Sequence, residues 1–278
     1  MSREIMSEFS KTQLPETHSL ILDRQGSVLK IWFNRPEAKN ALNAAMTNEL
    51  VAVLGAVRDD RSIRTIVLRG KGGFFCAGGD IKGFKSGMQT IDAQEVAKSN
   101  RSFGDVMSML NEQPQVVIIL VEGAAIGGGL GLACVGDVTL VTADARFRLS
   151  ETSLGIPPAQ IAPFVTERIG ITQARRLMLT GAHFKGEEAV KLGIAHGVAV
   201  DADDLDVQCS AILQQISACA PGAIAVTKGI LFETLRRPRS EALDFASRAF
   251  AQCMLSEEGI EGVAAFVEKR KASWNEES

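Results

Sequence analysis

The chain has 278 residues, of which 46% are hydrophobic and 23% are charged, and its formal net charge is −3. This length suits one large domain or two smaller ones, and the slightly acidic balance argues against nucleic acid or an acidic membrane as the main partner. No segment approaches the roughly 18 consecutive apolar residues that a membrane-spanning helix needs. Residues 1–18 are polar, lack the apolar region of a secretory signal and are predicted to form a flexible leader.

The cysteine and histidine patterns exclude two kinds of site. The five cysteines form no CxxC pair, and their odd number indicates reduced, buried thiols in a cytoplasmic protein. The three histidines are scattered, which predicts neither a metal site nor a His-based catalytic triad. The cysteines are Cys76, Cys134, Cys209, Cys219 and Cys253.

The first elements read as a hairpin, a helix and a strand. Apolar runs at 19–23 and 28–33 flank a turn at 24–26. Pro36 ends the second strand, and Asn43 is suited to cap a helix that runs to about residue 58. A buried strand is predicted at 65–68. Five glycines at 70–79 then form a turn that opens a helix and presents backbone N–H groups.

The most informative stretch is VVIILVEGAAIGGGLGLACVGD at 116–137. Its first six residues predict a strand buried on both faces, because they are apolar and mostly β-branched. Glycine fills four of the seven positions 123–129, and a second apolar run then starts a helix. A strand, a glycine turn and a helix N-terminus aim free N–H groups at an anion, although a tight turn that needs positive φ is the simpler alternative. Neither GxGxxG nor GxxxxGK[ST] occurs here, so the anion is not expected to be a pyrophosphate.

The second half of the chain changes character near residue 200. Strands are predicted at 138–141 and 146–149, a rigid turn at 154–158, and short helices at 171–179 and 186–192. From residue 203 onward only helical periodicity remains, with helices at 205–218, 221–235, 240–254 and 257–271. We therefore predict a core at 19–200 that repeats strand–strand–helix units and a helical region at 201–278.

Two of these features point to chemistry. The glycine corners at Gly79 and Gly128 each offer backbone N–H groups, and two such donors that converge on one oxygen form an oxyanion hole. Sequence spacing does not establish that they converge. Glu151, which follows the short strand at 146–149, is the candidate carboxylate beside them, and the alternative is an ordinary surface charge.

Five blocks in order resemble the crotonase superfamily, the enoyl-CoA hydratase/isomerase family: NRPEAKNALN, FFCAGGDIKGF, EGAAIGGGLGLACVGD, FRLSETSLGIPP and AFVEKRKASW. The resemblance covers residues 19–272. It implies an α/β fold, a spiral of ββα units with a C-terminal helical trimerisation region, usually assembled as a hexamer of two trimers. It also implies an acyl-CoA thioester substrate and no separate cofactor, because coenzyme A is part of the substrate.

The same resemblance assigns site residues. The backbone N–H groups of Gly79 and Gly128 would hold the thioester carbonyl oxygen, and Glu151 would be the catalytic acid/base. Phe266 and Lys269 match positions that reach coenzyme A, often across a subunit boundary. The implied substrate-binding residues are Ala38, Lys39, Gly79, Asp80, Ile81, Lys82, Gly128, Phe266 and Lys269.

Two departures from the family pattern bear on the substrate. Gly131 stands where two-glutamate hydratases carry a second carboxylate, and 158–163 lacks the usual glycine-rich sequence. These features favour a hydratase for branched glutaconyl-CoA thioesters, such as 3-methylglutaconyl- or isohexenylglutaconyl-CoA, with glycine at 131 expected to free volume for the branch. Lys85 or Gln160 could meet a distal carboxylate, and strand alternation makes Arg148 a weaker candidate. A 3,2-enoyl-CoA isomerase, a non-catalytic acyl-CoA-binding protein and a scaffold protein are the alternatives.

Overall fold

The structure, a computed structural model, describes residues 12–80 and 92–275. The strands of these residues are β1 (Leu20–Gln25), β2 (Val28–Phe33), β3 (Thr65–Gly70), β4 (Val116–Val121), β5 (Ala124–Ile126), β6 (Val138–Thr142), β7 (Arg146–Arg148), β8 (His183–Lys185) and β9 (Gly197–Ala199). Their α-helices are α1 (Ala44–Val57), α2 (Ala93–Asn111), α3 (Gly128–Val135), α4 (Ala162–Thr180), α5 (Gly186–Lys191), α6 (Ala202–Ser217), α7 (Pro221–Arg236), α8 (Arg239–Met254) and α9 (Glu257–Glu268).

The strands form two sheets of unequal size. The larger has the order β1-β2-β3-β4-β6-β9, and the smaller has the order β5-β7-β8. The β1–β2 pair is the antiparallel hairpin expected from the sequence, and every other neighbouring pair in the larger sheet is parallel. Parallel neighbours need crossover connections, which here carry the helices and the small sheet. The α/β architecture predicted from the sequence is confirmed.

The central strands of the large sheet are buried on both faces. Along β4, Val117 and Ile119 face the main core, whereas Ile118 and Leu120 face a second core against α6. The solvent exposure of all four side chains is between 0% and 2%. This burial explains the unbroken apolar run at 116–121, since neither face of the strand meets water.

Local capping confirms the start of α1, whereas α4 is longer than expected and the expected end of α9 was wrong. Asn43 Oδ1 accepts a hydrogen bond from Met46 N at 2.9 Å. The helix expected at 171–179 is present as the second part of α4, which follows Gly170, at φ 72°. The first part, from Ala162 to Gly170, was not expected; Pro163 is tolerated there because it lies in the first helical turn. Helix α9 ends at Glu268 rather than at residue 271, because Lys269 adopts the left-handed conformation.

A buried ion pair joins the helical C-terminal region to the sheet. The Lys228 ammonium of α7 lies 2.7 Å from Asp137 Oδ2 and donates to the Gln115 carbonyl at 3.3 Å. Asp137 also accepts the Val117 N–H at 2.7 Å. Burial lowers the pKa of Lys228, against the pull of Asp137. The pair fixes α7 where β4 and β6 begin.

The cysteines are free thiols, but the expectation that they are all buried was wrong. Cys76, Cys134 and Cys209 are buried, whereas Cys219 is exposed and Cys253 is partly exposed. Cys219 lies in the connection between α6 and α7, where no second layer covers it. Within 12–80 and 92–275, no single helix is long and apolar enough to cross a membrane, although α6 and α7, which meet at 100°, pass that test as a pair.

Candidate active site

The first glycine corner is built by two loops that run side by side. Ala77 N donates to Lys39 O at 3.0 Å, Leu42 N donates to Gly78 O at 2.7 Å, and Asp80 N donates to Leu42 O at 2.9 Å. Between these bonds Gly79 is exposed, and its N–H has no acceptor in the described part of the chain. The corner therefore holds one rigidly placed, unused backbone donor.

Buried polar contacts hold this corner in shape. Lys39 and Asn40 both have positive φ, which turns the chain sharply after Arg35. The fully buried Asn40 side chain accepts a bond from Arg35 N at 2.8 Å and donates to Phe74 O at 2.6 Å. Arg35 in turn pairs with Asp80 at 2.9 Å. Ala38, Lys39 and Asp80 thus lie together around Gly79.

The second corner is the N-terminus of α3. Gly127 has φ 52° and ψ −118°, a conformation that L side chains rarely adopt, and its N–H donates to Arg148 O at 2.8 Å. The next N–H, that of Gly128, is the first of the helix and has no acceptor among the residues described. The helix dipole adds positive potential at this donor.

The two corners meet. A methyl group placed on Gly78 would lie 2.8 Å from Ile126 O and 3.6 Å from Gly128 N. The peptide that carries the Gly79 N–H therefore packs against the turn that carries the Gly128 N–H. The sequence named both donors, and the structure adds the proximity of the two turns that carry them.

Glu151 lies at the same point. It opens a short 3₁₀ helix (Glu151–Leu154) after β7, and a methyl group on Gly127 would lie 2.7 Å from Glu151 Oε1. The other oxygen, Oε2, is buried and has no hydrogen-bond partner in the described chain. Burial raises the pKa of Glu151, and nearby backbone N–H groups of Glu151 and Ser150 offset part of this effect. A partly buried carboxylate with an oxygen that lacks a hydrogen-bond partner is a candidate proton acceptor.

Apolar side chains flank the donors. A methyl group on Gly128 would lie 3.3 Å from both Leu42 Cδ1 and Phe103 Cζ. Sequence reasoning missed both residues as site components. Phe103 lies on the face of α2 that also carries the buried Met107, so helical periodicity marks the face, although not its contact with Gly128.

Position 131 corrects an expectation. A methyl group on Gly131 would overlap Ile161 Cγ2 and would lie 2.9 Å from Ile161 Cβ and 3.2 Å from Met107 Cε. The volume beside Gly131 is therefore filled by apolar side chains, and the idea that glycine here frees space for a branched substrate was wrong. The replacement for a second carboxylate is a hydrocarbon wall.

Other predicted residues lie elsewhere. Ile81, Lys82 and Lys85 fall outside the described residues. Phe266 and Lys269 are at the end of α9, which packs on α7 and α8, and Phe266 is 85% exposed. The described chain does not bring these two to Glu151. Arg148 points away, bonding Gly181 O at 3.1 Å and Ser153 Oγ at 3.2 Å.

A partly buried carboxylate beside two free backbone donors is the arrangement that an enzyme site needs in order to stabilise an oxyanion and move a proton. Residues 23–277 match the profile of the family described as enoyl-CoA hydratase/isomerase. A short-chain-enoyl-CoA hydratase of Clostridium acetobutylicum is 32% identical over 92% of this chain and 97% of its own length.

Solved structures agree with this likeness. Pseudomonas aeruginosa AtuE is 50% identical with a TM-score of 0.91, over 93% of this chain and 100% of that one. An enoyl-CoA hydratase/isomerase from Marinobacter aquaeolei is 44% identical with a TM-score of 0.89, over 92% and 99%. The chain belongs to the enoyl-CoA hydratase/isomerase family and has the crotonase fold. The prediction of an enzyme of the hydratase class is confirmed by these relatives.

Proposed function

We propose that the protein adds water across the 2,3 double bond of an enoyl-CoA thioester, with Glu151 as its one acid/base. The observation that carries this proposal is the unpartnered, buried oxygen of Glu151 beside the Gly127–Gly128 turn. The family membership and the hydratase names of relatives support the reaction type.

The chemistry follows from the placement of these groups. The thioester carbonyl accepts hydrogen bonds from the N–H groups of Gly79 and Gly128, and these bonds strengthen as the oxygen gains enolate charge. Loss of one such donor typically raises the barrier by about 3 kcal/mol. Glu151 takes a proton from the water that attacks the β-carbon, and a proton returns to the α-carbon from the same carboxyl group. The raised pKa of Glu151 suits a group that must both accept and release a proton.

The proposed substrate is a branched enoyl-CoA with a distal carboxylate, of the methylglutaconyl or isohexenylglutaconyl kind. Support now comes from charge rather than from free volume. With Ile161 and Met107 packed at Gly131, the site has no second carboxylate at that position to repel a dicarboxylic substrate. Like charges repel strongly in a pocket of low dielectric constant. A site with a hydrocarbon wall at position 131 therefore accepts a dicarboxylic substrate more readily than a site with a second glutamate there.

A single carboxylate also suits a 3,2-enoyl-CoA isomerase, which moves a double bond with one base. A comparison of crotonyl-CoA, a 3-enoyl-CoA and 3-methylglutaconyl-CoA at equal concentration separates the two. We expect the branched diacid to be hydrated fastest. Faster isomerisation of the 3-enoyl-CoA, with no hydration of the diacid, would replace the hydratase proposal.

Replacement Glu151→Gln tests the mechanism, because it keeps size and removes the ionisable group. We expect turnover to fall at least about 100-fold, the usual scale for a positioned proton-transfer group, with coenzyme A binding retained. Retention of more than half the activity would contradict a one-glutamate mechanism and would favour a differently arranged site.

We also propose that Ala38, Lys39 and Asp80 line the coenzyme A site, and that Phe266 and Lys269 reach it from a neighbouring subunit of a hexamer. Apolar side chains on α7–α9 are exposed in the single chain, which supports assembly. Light scattering at micromolar concentration should give six times the chain mass. The exposed side chains are Leu231, Leu235, Leu243, Phe250, Met254, Leu255, Ile260, Val263, Phe266 and Val267.

A further inference from the structure

Two consecutive residues ahead of α4 each rest on a glycine of a different helix. Ile161 occupies the space above Gly131 of α3, and Gln160 occupies the space above Gly104 of α2. A methyl group on Gly104 would overlap Gln160 Oε1 and lie 3.1 Å from its Cδ. Glycine inside a helix is unfavourable by about 1 kcal/mol relative to alanine. The helical glycine at 104 therefore has a steric explanation, which is to seat the Gln160 side chain.

The seated Gln160 is held by one amide partner. Gln160 Nε2 donates to Asn100 Oδ1 at 3.0 Å. The Asn100 amide nitrogen and the second hydrogen of Gln160 Nε2 have no acceptor in the residues described. The pair thus presents N–H donors while its mutual bond fixes both side chains.

This pair borders the apolar wall of the site. Asn100, Phe103, Gly104 and Met107 lie on one face of α2, because they are spaced by three and four residues. Phe103 touches the Gly128 corner, and Met107 touches Gly131 together with Ile161. This face of α2 is therefore apolar beside Gly128 and Gly131. Within one or two helical turns it reaches the free amide donors of the Asn100–Gln160 pair.

We propose that Gln160, oriented by Asn100 and Gly104, binds the carboxylate at the far end of the acyl chain and thereby selects a dicarboxylic enoyl-CoA. This inference rests on the proposed hydratase function and assigns the residue that recognises the carboxylate of its substrate. Carboxylate is the favoured ligand because the pair offers donors and because the Arg101 guanidinium also lies over Gly104, with Nη1 2.9 Å from the position of an added methyl group. Arg101 is paired with Asp105 at 2.6 Å, which offsets part of its charge, so we assign recognition of the carboxylate to the amide donors.

The test measures kcat/KM for 3-methylglutaconyl-CoA and for 3-methylpent-2-enoyl-CoA, in which a methyl group replaces the carboxylate. Gln160→Leu keeps the side-chain volume and removes the donors. We expect the diacid-to-neutral ratio of kcat/KM to fall about 10- to 100-fold, the range for lost hydrogen bonds to a charged group. An unchanged ratio overturns the inference. If the ratio is unchanged because kcat/KM falls equally for both substrates, Gln160 has a structural role.

A second variant, at Gly104, tests the position of the Gln160 side chain without replacing that side chain. Gly104→Ala should displace Gln160, whose flexible end can move, and should lower the same ratio; in the Gln160→Leu background it should add nothing further. Gly55→Ala is the control, since a methyl group there meets only Met109 at an ordinary 3.5 Å. An additive effect of Gly104→Ala in the double variant would refute the assigned contact.

Failure of the proposed function gives a different result. A wild-type enzyme that hydrates the neutral thioester and leaves the diacid untouched disproves the substrate class itself. A wild-type enzyme that hydrates the diacid, with a ratio insensitive to both variants, disproves only the role of Gln160.

Discussion

Gly127→Ala alters the contact between the Gly127–Gly128 turn and the Glu151 carboxylate. Gly127 has φ 52° and ψ −118°, and an added methyl group would lie 2.7 Å from Glu151 Oε1 and 3.4 Å from its Cδ. The substitution therefore has two separable effects. One is backbone strain at Gly127, and the other is displacement of the Glu151 carboxylate.

The expected magnitudes differ for stability and for activity. A non-glycine residue in a sparsely populated backbone region lowers stability by about 1–3 kcal/mol. For the carboxylate, ordinary contact begins near 3.4 Å, so Glu151 must retreat by roughly 1 Å, and a shift of that size in a reacting group lowers turnover about 100-fold. Thermal unfolding should show a fall in Tm, and steady-state hydration should show a loss mainly in kcat.

Gly170→Ala separates the two effects. Gly170 interrupts α4 at φ 72° and ψ 158°, and an added methyl group there would meet nothing within 4 Å. This control should lose similar stability and keep its turnover. If Gly127→Ala retains turnover within about threefold of the control, well short of the 100-fold expected for displacement, the carboxylate beside Gly127 is not the proton-transfer group.

Two further predictions follow from Glu151 and position 131. Because burial raises the pKa of Glu151, kcat/KM should fall with decreasing pH through a value above 4.5, in a pH–rate profile. The neutral carboxyl form favours folding, and that contribution is lost as pH rises through the folded-state pKa; Glu151→Gln should therefore raise Tm at pH 7 but not at pH 4. Gly131→Glu should lower the free energy of unfolding by about 1–3 kcal/mol through overpacking against Ile161, as measured by denaturant titration.

Sequence reasoning recovered the elements whose cause is local. The apolar run of β4 and the Asn43 cap depend only on residues that are close together in sequence, and the structure has both as expected. The short strands β5, β8 and β9 were missed, because three residues give too little periodicity to detect. The first part of α4, before Gly170, was missed because Pro163 suggests a helix break unless its place in the first helical turn is known.

The candidate site was only partly readable for a different reason. Gly79, Gly128 and Glu151 could be named from motif and resemblance, but their meeting depends on contacts between distant segments, since Gly128 lies 49 positions after Gly79 and Glu151 lies 23 positions after Gly128. No local pattern encodes the approach of Gly78 to Ile126. The contacts of Gly104 could not be predicted for the same reason, since the sequence around a helical glycine does not indicate which side chain packs on it.

Position 131 illustrates how a missing side chain is best interpreted. Gly131 stands where the family resemblance implies a carboxylate in two-glutamate hydratases, and the simple inference is that a cavity results. Close packing makes that inference unsafe, because interiors fill such volumes with neighbouring groups. Here Ile161 and Met107 occupy the space, so the substitution removes a charge and a proton-transfer group without enlarging the pocket. Asp80, beside Gly79, is paired with Arg35, whereas Glu151 has an oxygen without a hydrogen-bond partner in the described chain, so both proton transfers of the proposed hydration are assigned to Glu151.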